Sequence, residues 1–358
     1  MNLFYDRKEN KESIYQMYQQ IFEDPEAFAQ YYFREIYPHN QVLLAAEDDE
    51  IKGMIHLNPY NIKIGIEEQK LNYIVAVAVR EEFRRQGIMA KMLKKCLNDM
   101  AGQRQPFTYL MPANRAYYEP FDFVFIMDWN ETVVKGKEAK REGEILPAAK
   151  EEYEDISVFL TSFMEEYGVY TIPDIKYLKL TEKESNSCDG GLMVWKRNGE
   201  IAGVFAQGLE EDTVFLRWAF SIKPEKMLQQ IQMYYPGREI EITGGNLLQG
   251  ENNPKIMARI TSLQSWEKYL KGDESFRFQI LVEDSLIKDN QGTFQFEYQD
   301  TEQKMTIRRI EEKEGISKIS IGDLTQVFFG YHAEKILEQY ECLRSIIPVG
   351  PVYISEEV

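Results

Sequence analysis

The turn Arg84-Arg85-Gln86-Gly87 combines residue types that bind anions at the start of a helix. A run of β-branched residues precedes it, and an amphipathic segment follows it directly. The first turn of a helix has unpaired backbone N–H groups and the positive end of the helix dipole, so it attracts negative charge. Gly87 would let the backbone approach an anion closely, and the two arginines add positive charge. The turn therefore predicts an anion site suited to a pyrophosphate; the alternative is an ordinary strand-turn-helix with solvated arginines.

Two predicted elements hold this turn in place. Leu71 to Val79 is β-branched and almost entirely apolar, which is typical of a buried central strand. From Gly87 to about Met100 the apolar residues recur at i, i+3, i+4 and i+7, which predicts a helix that packs on a sheet. These apolar residues are Met89, Met92, Leu93, Cys96, Leu97 and Met100. Since Cys96 lies on the apolar face, we expect a structural thiol there rather than a nucleophile.

Further elements are predicted on both sides of this unit. Glu9 to Tyr37 has helical spacing that Asp24 and Pro25 interrupt, so two amphipathic helices are expected. The other predicted elements are a hairpin over Gln41 to Leu57 and strands over Phe107 to Met111 and Val124 to Met127. This mixture of helices and strands indicates an α/β fold.

Charge and length limit the class of protein. The chain has 358 residues, which predicts two to three domains. It has 42 Lys and Arg residues against 59 Asp and Glu, a net charge of −17. Nucleic-acid binding depends on many Lys and Arg contacts to phosphates, so that class is disfavoured. An acidic protein attracts cationic partners, and amines are the commonest small cations.

The cysteines and histidines do not have metal-site or disulfide spacings. They are Cys96, Cys188, Cys342, His39, His56 and His332. Because no CxxC or HExxH pattern is present, we expect neither a disulfide framework nor a metal, and a reducing compartment. The N-terminus is charged, and the longest apolar run, Tyr73 to Val79, is too short for a membrane span. A cytoplasmic protein without membrane contact is therefore expected.

Changes along the chain predict three domains, over residues 1–133, 134–253 and 254–358. The polar, Lys-rich segment from Val134 to Arg141 is the expected linker. Leu43 to Met54 and Met193 to Val204 share a strand-turn-strand pattern with Glu-Ile-x-Gly or a close variant, which indicates either an internal duplication or two independent hairpins. After about Asn253 the sequence is strand-rich and then, from Ile321 to Leu343, has helical spacing. A smaller α+β unit is expected there.

The strand and turn together resemble the signature of the GCN5-related N-acetyltransferases (GNATs), a V-x-V strand followed by R-R-x-G-x-G/A and a helix. The matching residues are Val77, Ala78, Val79, Arg84, Arg85, Gln86, Gly87, Ile88, Met89 and Ala90. Met89 stands where Gly or Ala is most frequent, and a larger apolar residue there is typical of the Eis-like multi-domain acetyltransferases, named for enhanced intracellular survival. The resemblance implies acetyl-CoA as co-substrate, with Val77 to Val79 holding the pantetheine and thioester and Arg84 to Ala90 holding the pyrophosphate.

A second motif of the family, Y-x-x-F-G-[FY], matches Tyr118 to Phe123 with Asp122 in place of Gly. When an amine attacks a thioester, the thiolate that leaves must gain a proton. A thiol has a reference pKa of about 8.5 and a phenol one near 10, so a phenol can supply that proton. The resemblance implies that Tyr118 is this acid, and the neighbouring Tyr117 is the alternative.

The C-terminus also has a role implied by the resemblance. In Eis-like proteins the end of the chain reaches back into the active site of the first domain, so the Val358 carboxylate would take part in catalysis. Glu357 and Asp24 would line the amine pocket. The alternatives are a frayed terminus for the tail and an N-cap or turn for Asp24.

The resemblance implies an α/β (α+β) fold made of tandem GNAT-fold mixed sheets flanked by helices, plus a small C-terminal α+β sterol-carrier-like domain. Residues 134–253 have no R-x-x-G-x-G/A after a strand, so the second unit is expected to be degenerate. The expected function is transfer of acetyl from acetyl-CoA to the primary amine of a cationic small molecule or protein by direct attack, in a hexamer. The alternative is a non-catalytic sensor that binds acetyl-CoA or an apolar ligand.

Overall fold

A long mixed sheet of 14 strands is formed by strands from the first 260 residues and by one strand near the C-terminus, Val352–Tyr353. The computed structural model describes residues 1–48, 50–248, 250–311 and 315–356. The strands are β1 Asn2–Tyr5, β2 Gln41–Glu47, β3 Glu50–Ile64, β4 Glu67–Val79, β5 Phe107–Leu110, β6 Val124–Lys135, β7 Glu144–Pro147, β8 Val169–Thr171, β9 Gly191–Arg197, β10 Glu200–Glu210, β11 Thr213–Ser221, β12 Glu239–Ile242, β13 Glu251–Ile260, β14 Lys271–Gly272, β15 Phe276–Glu283, β16 Gly292–Gln299, β17 Lys304–Arg309, β18 Lys318–Ser320, β19 Ile346–Ile347 and β20 Val352–Tyr353. The α-helices are α1 Lys11–Ile21, α2 Glu26–Tyr31, α3 Ile88–Gly102, α4 Tyr153–Met164, α5 Ile175–Ser187, α6 Pro224–Tyr234, α7 Ile321–Phe329 and α8 Glu334–Gln339.

The main path of the long sheet has the order β1-β2-β3-β4-β5-β13-β6-β12-β11-β10-β9-β7, and β8 pairs with β3 and β20. One half repeats the arrangement of the other. Strands β2, β3 and β4 are antiparallel and β4 then pairs in parallel with β5, across α3. Strands β9, β10 and β11 are antiparallel and β11 pairs in parallel with β12, across α6. The tandem mixed sheets expected from the sequence are therefore present.

The two helices predicted upstream are confirmed. Pro25 precedes α2 with an extended backbone and cannot continue α1, so the chain turns there. The apolar faces of α1 and α2 pack against β2 and the end of β4, in a cluster that includes Ile14, Met17 and Ala78. The other face of the sheet buries α3, through Met92, Leu93, Cys96 and Leu97 among others. The sheet around the end of β4 is thus covered on both faces.

The predicted domain boundaries fall within strands. β6 continues past residue 133 to Lys135 and pairs with β12, while β13 starts at Glu251 and lies between β5 and β6. Val133 and Lys135 are exposed whereas Thr132 and Val134 are half-buried, so this end of β6 has one face toward solvent. Residues 136–143 form the irregular connection to β7.

The C-terminal unit is a four-stranded sheet in the order β17-β16-β15-β18, with the short pair β14-β19 and helices α7 and α8. The helical spacing over Ile321 to Leu343 predicted one segment, but the structure divides it. Gly330, with a φ of 71°, caps the C-terminus of α7, and α8 begins at Glu334. Every helix in the described residues is too short or too polar to serve as a membrane span.

Candidate active site

A β-bulge distorts β4 just before its end. Met54 pairs with Ala78 and His56 pairs with Val75, so β4 has one residue more than β3 over this stretch. The extra residue is accommodated by Ala76, whose φ is 49°, a value uncommon for a residue other than glycine. A bulge locally re-aims a strand and ends its pairing, and bulges are frequent beside active sites. Here it changes the direction of Val77 and Val79.

The same end of β4 separates from β5. The two strands are joined by a single parallel pair, Tyr73 with Tyr109. Among the described residues, β5 offers no partner to residues 75–79 of β4, and β5 pairs with β13 on its other edge. The backbone N–H groups of Val77 and Val79 and the Val77 carbonyl on this side are therefore available to an extended ligand, which is how Val77, Ala78 and Val79 were expected to act.

The arginine-rich turn stands at the mouth of this gap. Arg84, Arg85, Gln86 and Gly87 are all exposed, and the guanidinium of Arg84 donates to the Val79 carbonyl at 3.2 Å. Arg85 and Gly87 both have left-handed backbone, with φ of 61° and 73°. The structure therefore brings the predicted turn residues to the end of β4.

Helix α3 begins without a side-chain cap. Gly87 is its N-cap, and the first intrahelical bond runs from the Lys91 N–H to the Gly87 carbonyl at 3.1 Å. The N–H groups of Ile88, Met89 and Ala90 precede that bond and have no intrahelical acceptor. Ile88 is buried against the sheet, whereas Met89 and Ala90 are half-buried. This uncapped N-terminus beside the gap fits the pyrophosphate of an extended CoA-type ligand.

The second half of the molecule lacks these features. β11 and β12 are joined by four consecutive pairs, from Thr213 with Glu239 to Leu216 with Ile242. Farther along β11, the Ala219 N–H donates to the Gly244 carbonyl at 3.2 Å, and the Asn246 N–H donates to the Ala219 carbonyl at 2.9 Å. Helix α6 starts with Pro224, which has no N–H. The equivalent gap in this half is therefore closed by backbone bonds.

Tyr118 lies between two short 3-10 turns that connect β5 to β6. Its side chain is 8% exposed and meets Phe123 edge-on, with ring centroids 6.0 Å apart, whereas Tyr117 is 58% exposed. Burial raises the pKa of Tyr118 to about 12, and its hydroxyl has no hydrogen bond among the described residues. Asp122 has a φ of 60°, which explains why glycine is frequent at this place in the motif and why Asp is tolerated.

A buried ion pair anchors this loop. Arg259 of β13 is fully buried; its Nε donates to the Phe121 carbonyl at 2.7 Å and its terminal nitrogen to Asp284 Oδ1 at 2.6 Å. Asp284 also accepts the N–H groups of Leu286 and Ile287, each at 2.9 Å. The C-terminal unit thus holds the turn that follows Tyr118. Sequence analysis missed Arg259, which has no local motif.

The tail of the chain is ordered as far as it is described. β20 pairs in parallel with β8, and the Trp129 indole donates to the Ile354 carbonyl at 3.0 Å. Ile354, Ser355 and Glu356 are all buried. A frayed terminus is therefore wrong for residues 351–356. Glu357 and Val358 lie outside the described residues.

Asp24 is exposed in the connection between α1 and α2. It accepts a hydrogen bond from the Tyr18 hydroxyl at 2.5 Å, and Tyr18 stacks on Tyr32 with ring centroids 5.6 Å apart. Within the described residues no hydrogen bond or ion pair joins Asp24 to Tyr118 or to residues 351–356. The structure thus leaves its predicted role at the amine pocket untested.

Glu356 is the second residue that sequence analysis missed. Its side chain is buried with the residue 2% exposed, and neither carboxylate oxygen has a hydrogen-bond partner of normal geometry among the described residues. Burial raises the pKa of Glu356 to about 7, while the neighbouring Thr171 hydroxyl and the Arg217 guanidinium act in the opposite direction. Within residues 1–48, 50–248, 250–311 and 315–356, no cluster of three or more His, Cys, Asp or Glu side chains could hold a metal ion.

Comparisons with known proteins agree with this geometry. Residues 6–126 match the family model of the acetyltransferase (GNAT) domain, and residues 263–347 match that of the sterol carrier protein domain. The chain thus contains a GNAT acetyltransferase domain and a C-terminal domain of the sterol carrier protein type. Acetyltransferases of this superfamily use acetyl-CoA as co-substrate. No curated protein sequence matches the chain.

Solved structures share the whole architecture. A conserved protein of Enterococcus faecalis V583, described as a probable N-acyltransferase, has a TM-score of 0.78 and 18% identity over 97% of this chain and 93% of its own. A GCN5-related N-acetyltransferase from Anabaena variabilis ATCC 29413 has a TM-score of 0.74 and 13% identity, covering 97% of this chain and 94% of its own. Eis1 from Mycobacterium abscessus has a TM-score of 0.70 and 12% identity over 100% of both chains. The chain therefore has the Eis-like fold.

Proposed function

We propose that this protein transfers the acetyl group of acetyl-CoA to the primary amine of a cationic small molecule or protein, by direct attack of the amine on the thioester. One observation carries the proposal: the gap between β4 and β5 opens beside the uncapped start of α3. An extended thioester ligand with a pyrophosphate needs a free strand edge for its arm and, next to it, a helix start for its pyrophosphate. The closed gap in the second half supports one acetyl-CoA site per chain.

The backbone of Val77 and Val79 would hold the pantetheine arm as an added strand and orient the thioester. Its N–H groups are fixed by the bulge at Ala76, so they can stabilise negative charge on the thioester oxygen without reorganising. The N–H groups of Met89 and Ala90, with Arg84 and Arg85, would bind the pyrophosphate.

Tyr118 would donate the proton that the leaving thiolate needs. Burial keeps the phenol protonated at neutral pH, since its pKa is raised to about 12. Desolvation disfavours every anion, so a thiolate that leaves in the same buried place also has a raised proton affinity. No acyl-enzyme is proposed, because Cys96 is buried on the side of α3 that packs on the sheet, and burial raises the pKa of its thiol to about 12.

The last two residues would act on the acceptor. An α-carboxyl has a reference pKa near 3.5 and an alkylammonium one near 10.4, so direct proton transfer to Val358 would be strongly uphill. We therefore assign the Val358 carboxylate, with Glu357 and Asp24, an electrostatic role in holding the amine. A C-terminal tag should raise KM for the amine and leave acetyl-CoA affinity unchanged. An N-terminal tag should change neither quantity.

A thiol-release assay with an untagged C-terminus tests the activity. The panel is an aminoglycoside, spermidine and a lysyl peptide, each with acetyl-CoA, and acetyl-CoA alone is the control. Release that requires both an amine and an intact Gly87 supports the proposal. Tight acetyl-CoA binding without release for every amine would favour the alternative, a non-catalytic sensor.

A further inference from the structure

A chain of buried hydrogen bonds runs from Lys8 to strand β3. The Lys8 ammonium donates to Asn40 Oδ1 at 2.8 Å. The Asn40 amide nitrogen donates to Asn58 Oδ1 at 2.9 Å and to the Tyr32 hydroxyl oxygen at 3.2 Å. The Tyr32 hydroxyl lies 3.1 Å from Asn58 Oδ1 and 3.0 Å from His56 Nδ1. Apart from Lys8, each of these residues is at most 5% exposed, so water does not compete for these bonds.

The direction of each bond in this chain is fixed. An ammonium has only hydrogens to offer, so Lys8 turns the Asn40 oxygen toward itself and leaves the Asn40 nitrogen as the next donor. Asn58 must then present its oxygen to Asn40. The Tyr32 hydroxyl has one hydrogen and the Asn58 oxygen has none, so that hydrogen lies between them. Burial lowers the pKa of His56 to about 3, so its ring is neutral and donates to Tyr32 through Nδ1. The group left over is the amide nitrogen of Asn58.

This amide nitrogen is a donor without an acceptor. It is buried, and it has no hydrogen-bond partner among the described residues. A buried N–H group that is left unpaired destabilises a protein, so such groups are nearly always satisfied by protein, water or a ligand. Asn58 is also part of the wall of a cavity of about 190 Å³ between β3, the turn after α2 and helix α5. An acceptor oxygen in that cavity would satisfy the amide.

The wall of this cavity carries positive charge. Its charged residues are three lysines of α5 and one glutamate: Lys176, Lys179, Lys183 and Glu35. Glu35 accepts hydrogen bonds from Lys183 at 2.5 Å and from Arg34 at 2.8 Å, so its charge is already compensated. Lys176 and Lys179 are exposed, and no ion pair joins either of them to a carboxylate within the described residues. In a chain with a net charge of −17, the cavity is thus locally positive.

These groups select for a negatively charged ligand with oxygen acceptors. A carboxylate or phosphate only accepts hydrogen bonds, and its bonds to an ammonium are stronger than those between neutral groups. An ammonium ligand would turn hydrogens toward the Asn58 amide and would be repelled by both lysines. A neutral carbonyl would satisfy the amide but not the lysines. Because Ile36, Pro59 and Leu180 also line the cavity, it suits an anion attached to a short carbon chain.

We propose that this cavity binds the carboxylate or phosphate group of a small molecule, between the Asn58 amide and the ammonium groups of Lys176 and Lys179. The group has two sources, a free anion or an acidic group on the acetyl acceptor itself. Asn58 pairs with Tyr73, the residue of β4 at which β4 and β5 begin to separate, so the cavity is one strand away from the proposed acetyl-CoA gap. The second source rests on the proposed acetyl transfer, whereas the first does not.

Calorimetry with glutarate and with inorganic phosphate tests the site, with coenzyme A present so that the start of α3 is occupied. Asn58→Asp keeps an oxygen for Asn40 and Tyr32 but replaces the donor by a second oxygen. It should therefore weaken binding of the better probe by about tenfold or more. Lys179→Gln should weaken it by about threefold or more, because one favourable charge is lost.

Lys335→Gln is the matched control, because Lys335 is an exposed lysine of α8 that does not line the cavity. Its affinity for the probe should stay within about twofold of wild type. Absence of binding for both probes, or wild-type affinity in Asn58→Asp, would overturn the proposal. If Asn58→Asp does not fold, the double variant Lys176→Gln/Lys179→Gln decides instead, and wild-type affinity in it would overturn the proposal.

Steady-state acetylation of lysine and of cadaverine, which is lysine without its carboxylate, distinguishes the two sources. If the acceptor supplies the anion, KM for lysine should be about fivefold or more below KM for cadaverine, and Lys179→Gln should remove this difference. Equal KM values together with glutarate or phosphate binding assign the site to a free anion. If neither amine is acetylated, the proposed function fails for them, and the calorimetry still decides the site because it needs no acetyl transfer.

Discussion

Tyr117 and Tyr118 are neighbours in the chain but have opposite surroundings. Tyr118 is buried against Phe123, while Tyr117 faces solvent. A general acid that protonates a thiolate in a desolvated site must itself be buried there, and of these two residues only Tyr118 is buried. The environment therefore favours Tyr118, the residue that the motif had selected.

We expect Tyr118→Phe to lower kcat by about 100-fold, the scale of a lost general acid, because it removes one hydroxyl and little volume. Acetyl-CoA affinity should stay within twofold, measured by calorimetry beside the steady-state assay. Tyr117→Phe is the matched control and should retain full activity. The opposite pattern would move the acid by one position.

The buried Glu356 should also be visible in stability, without any substrate. Burial raises its pKa from 4.5 to about 7, so the folded state binds this proton more tightly than the unfolded state. Its contribution is therefore most favourable at low pH and is lost as pH rises through about 7. Between pH 5.5 and pH 8, this group should lower the unfolding free energy of the wild type by about 2 kcal/mol. Glutamine does not titrate, so Glu356→Gln should not show this decrease.

Urea unfolding at these two values measures this difference, and both lie above the isoelectric point near 4.9. Glu338→Gln, at an exposed position of α8, is the matched control. Its difference from wild type in unfolding free energy should be the same at both pH values. If the difference in unfolding free energy between Glu356→Gln and wild type is also the same at both pH values, the carboxylate has an ordinary pKa in the folded protein.

At the scale of elements, the start of α3 decides where an anion can bind. Gly87 has left-handed backbone with a φ of 73°, and a Cβ added to it would meet open space. A substitution there acts through backbone strain and by filling the space an anion would occupy, and not through a clash with the core.

Gly87→Val should weaken acetyl-CoA binding by more than tenfold, or about 1.4 kcal/mol, in calorimetry. Gly102→Ala, at the other end of α3, is the matched control, because it also meets open space but has no left-handed backbone. Unchanged affinity in Gly87→Val would remove the pyrophosphate site from this turn.

At the scale of the whole molecule, the C-terminal unit is coupled to the active site by Arg259. The Arg259–Asp284 pair is fully buried and joins the loop after Tyr118 to the region between β15 and β16. Removing one partner of a buried ion pair leaves an uncompensated charge, which costs about 3–5 kcal/mol.

Arg259→Gln should therefore lower the unfolding free energy by about that amount and lower kcat more than acetyl-CoA affinity. Arg277→Gln is the control, because its ion pair with Glu297 is at the surface and should contribute little to the unfolding free energy. Loss of stability in Arg259→Gln with unchanged kcat would restrict Arg259 to folding.

The hexamer implied by the family resemblance is a separate prediction, which sedimentation velocity would test.

The sequence alone predicted the elements whose signals are local. The arginine-rich turn, the apolar face of α3 and the break at Pro25 each lie within one window of residues, where backbone preference and periodicity decide the structure. The register of Tyr118 in its motif is local in the same sense. These features predicted a candidate acetyl-CoA site at the end of β4.

Only the tertiary structure decided what distant segments bring to that site. β13 enters the sheet between β5 and β6, Arg259 reaches the Phe121 carbonyl from 138 residues away, and Glu356 is buried just after β20 pairs with β8. Such contacts depend on how the whole chain packs, since strand pairing and burial at long separation have no signature in a short stretch of sequence. Glutamate near a chain terminus is ordinarily exposed, and its burial here follows from the pairing of β20 with β8, which no local pattern contains.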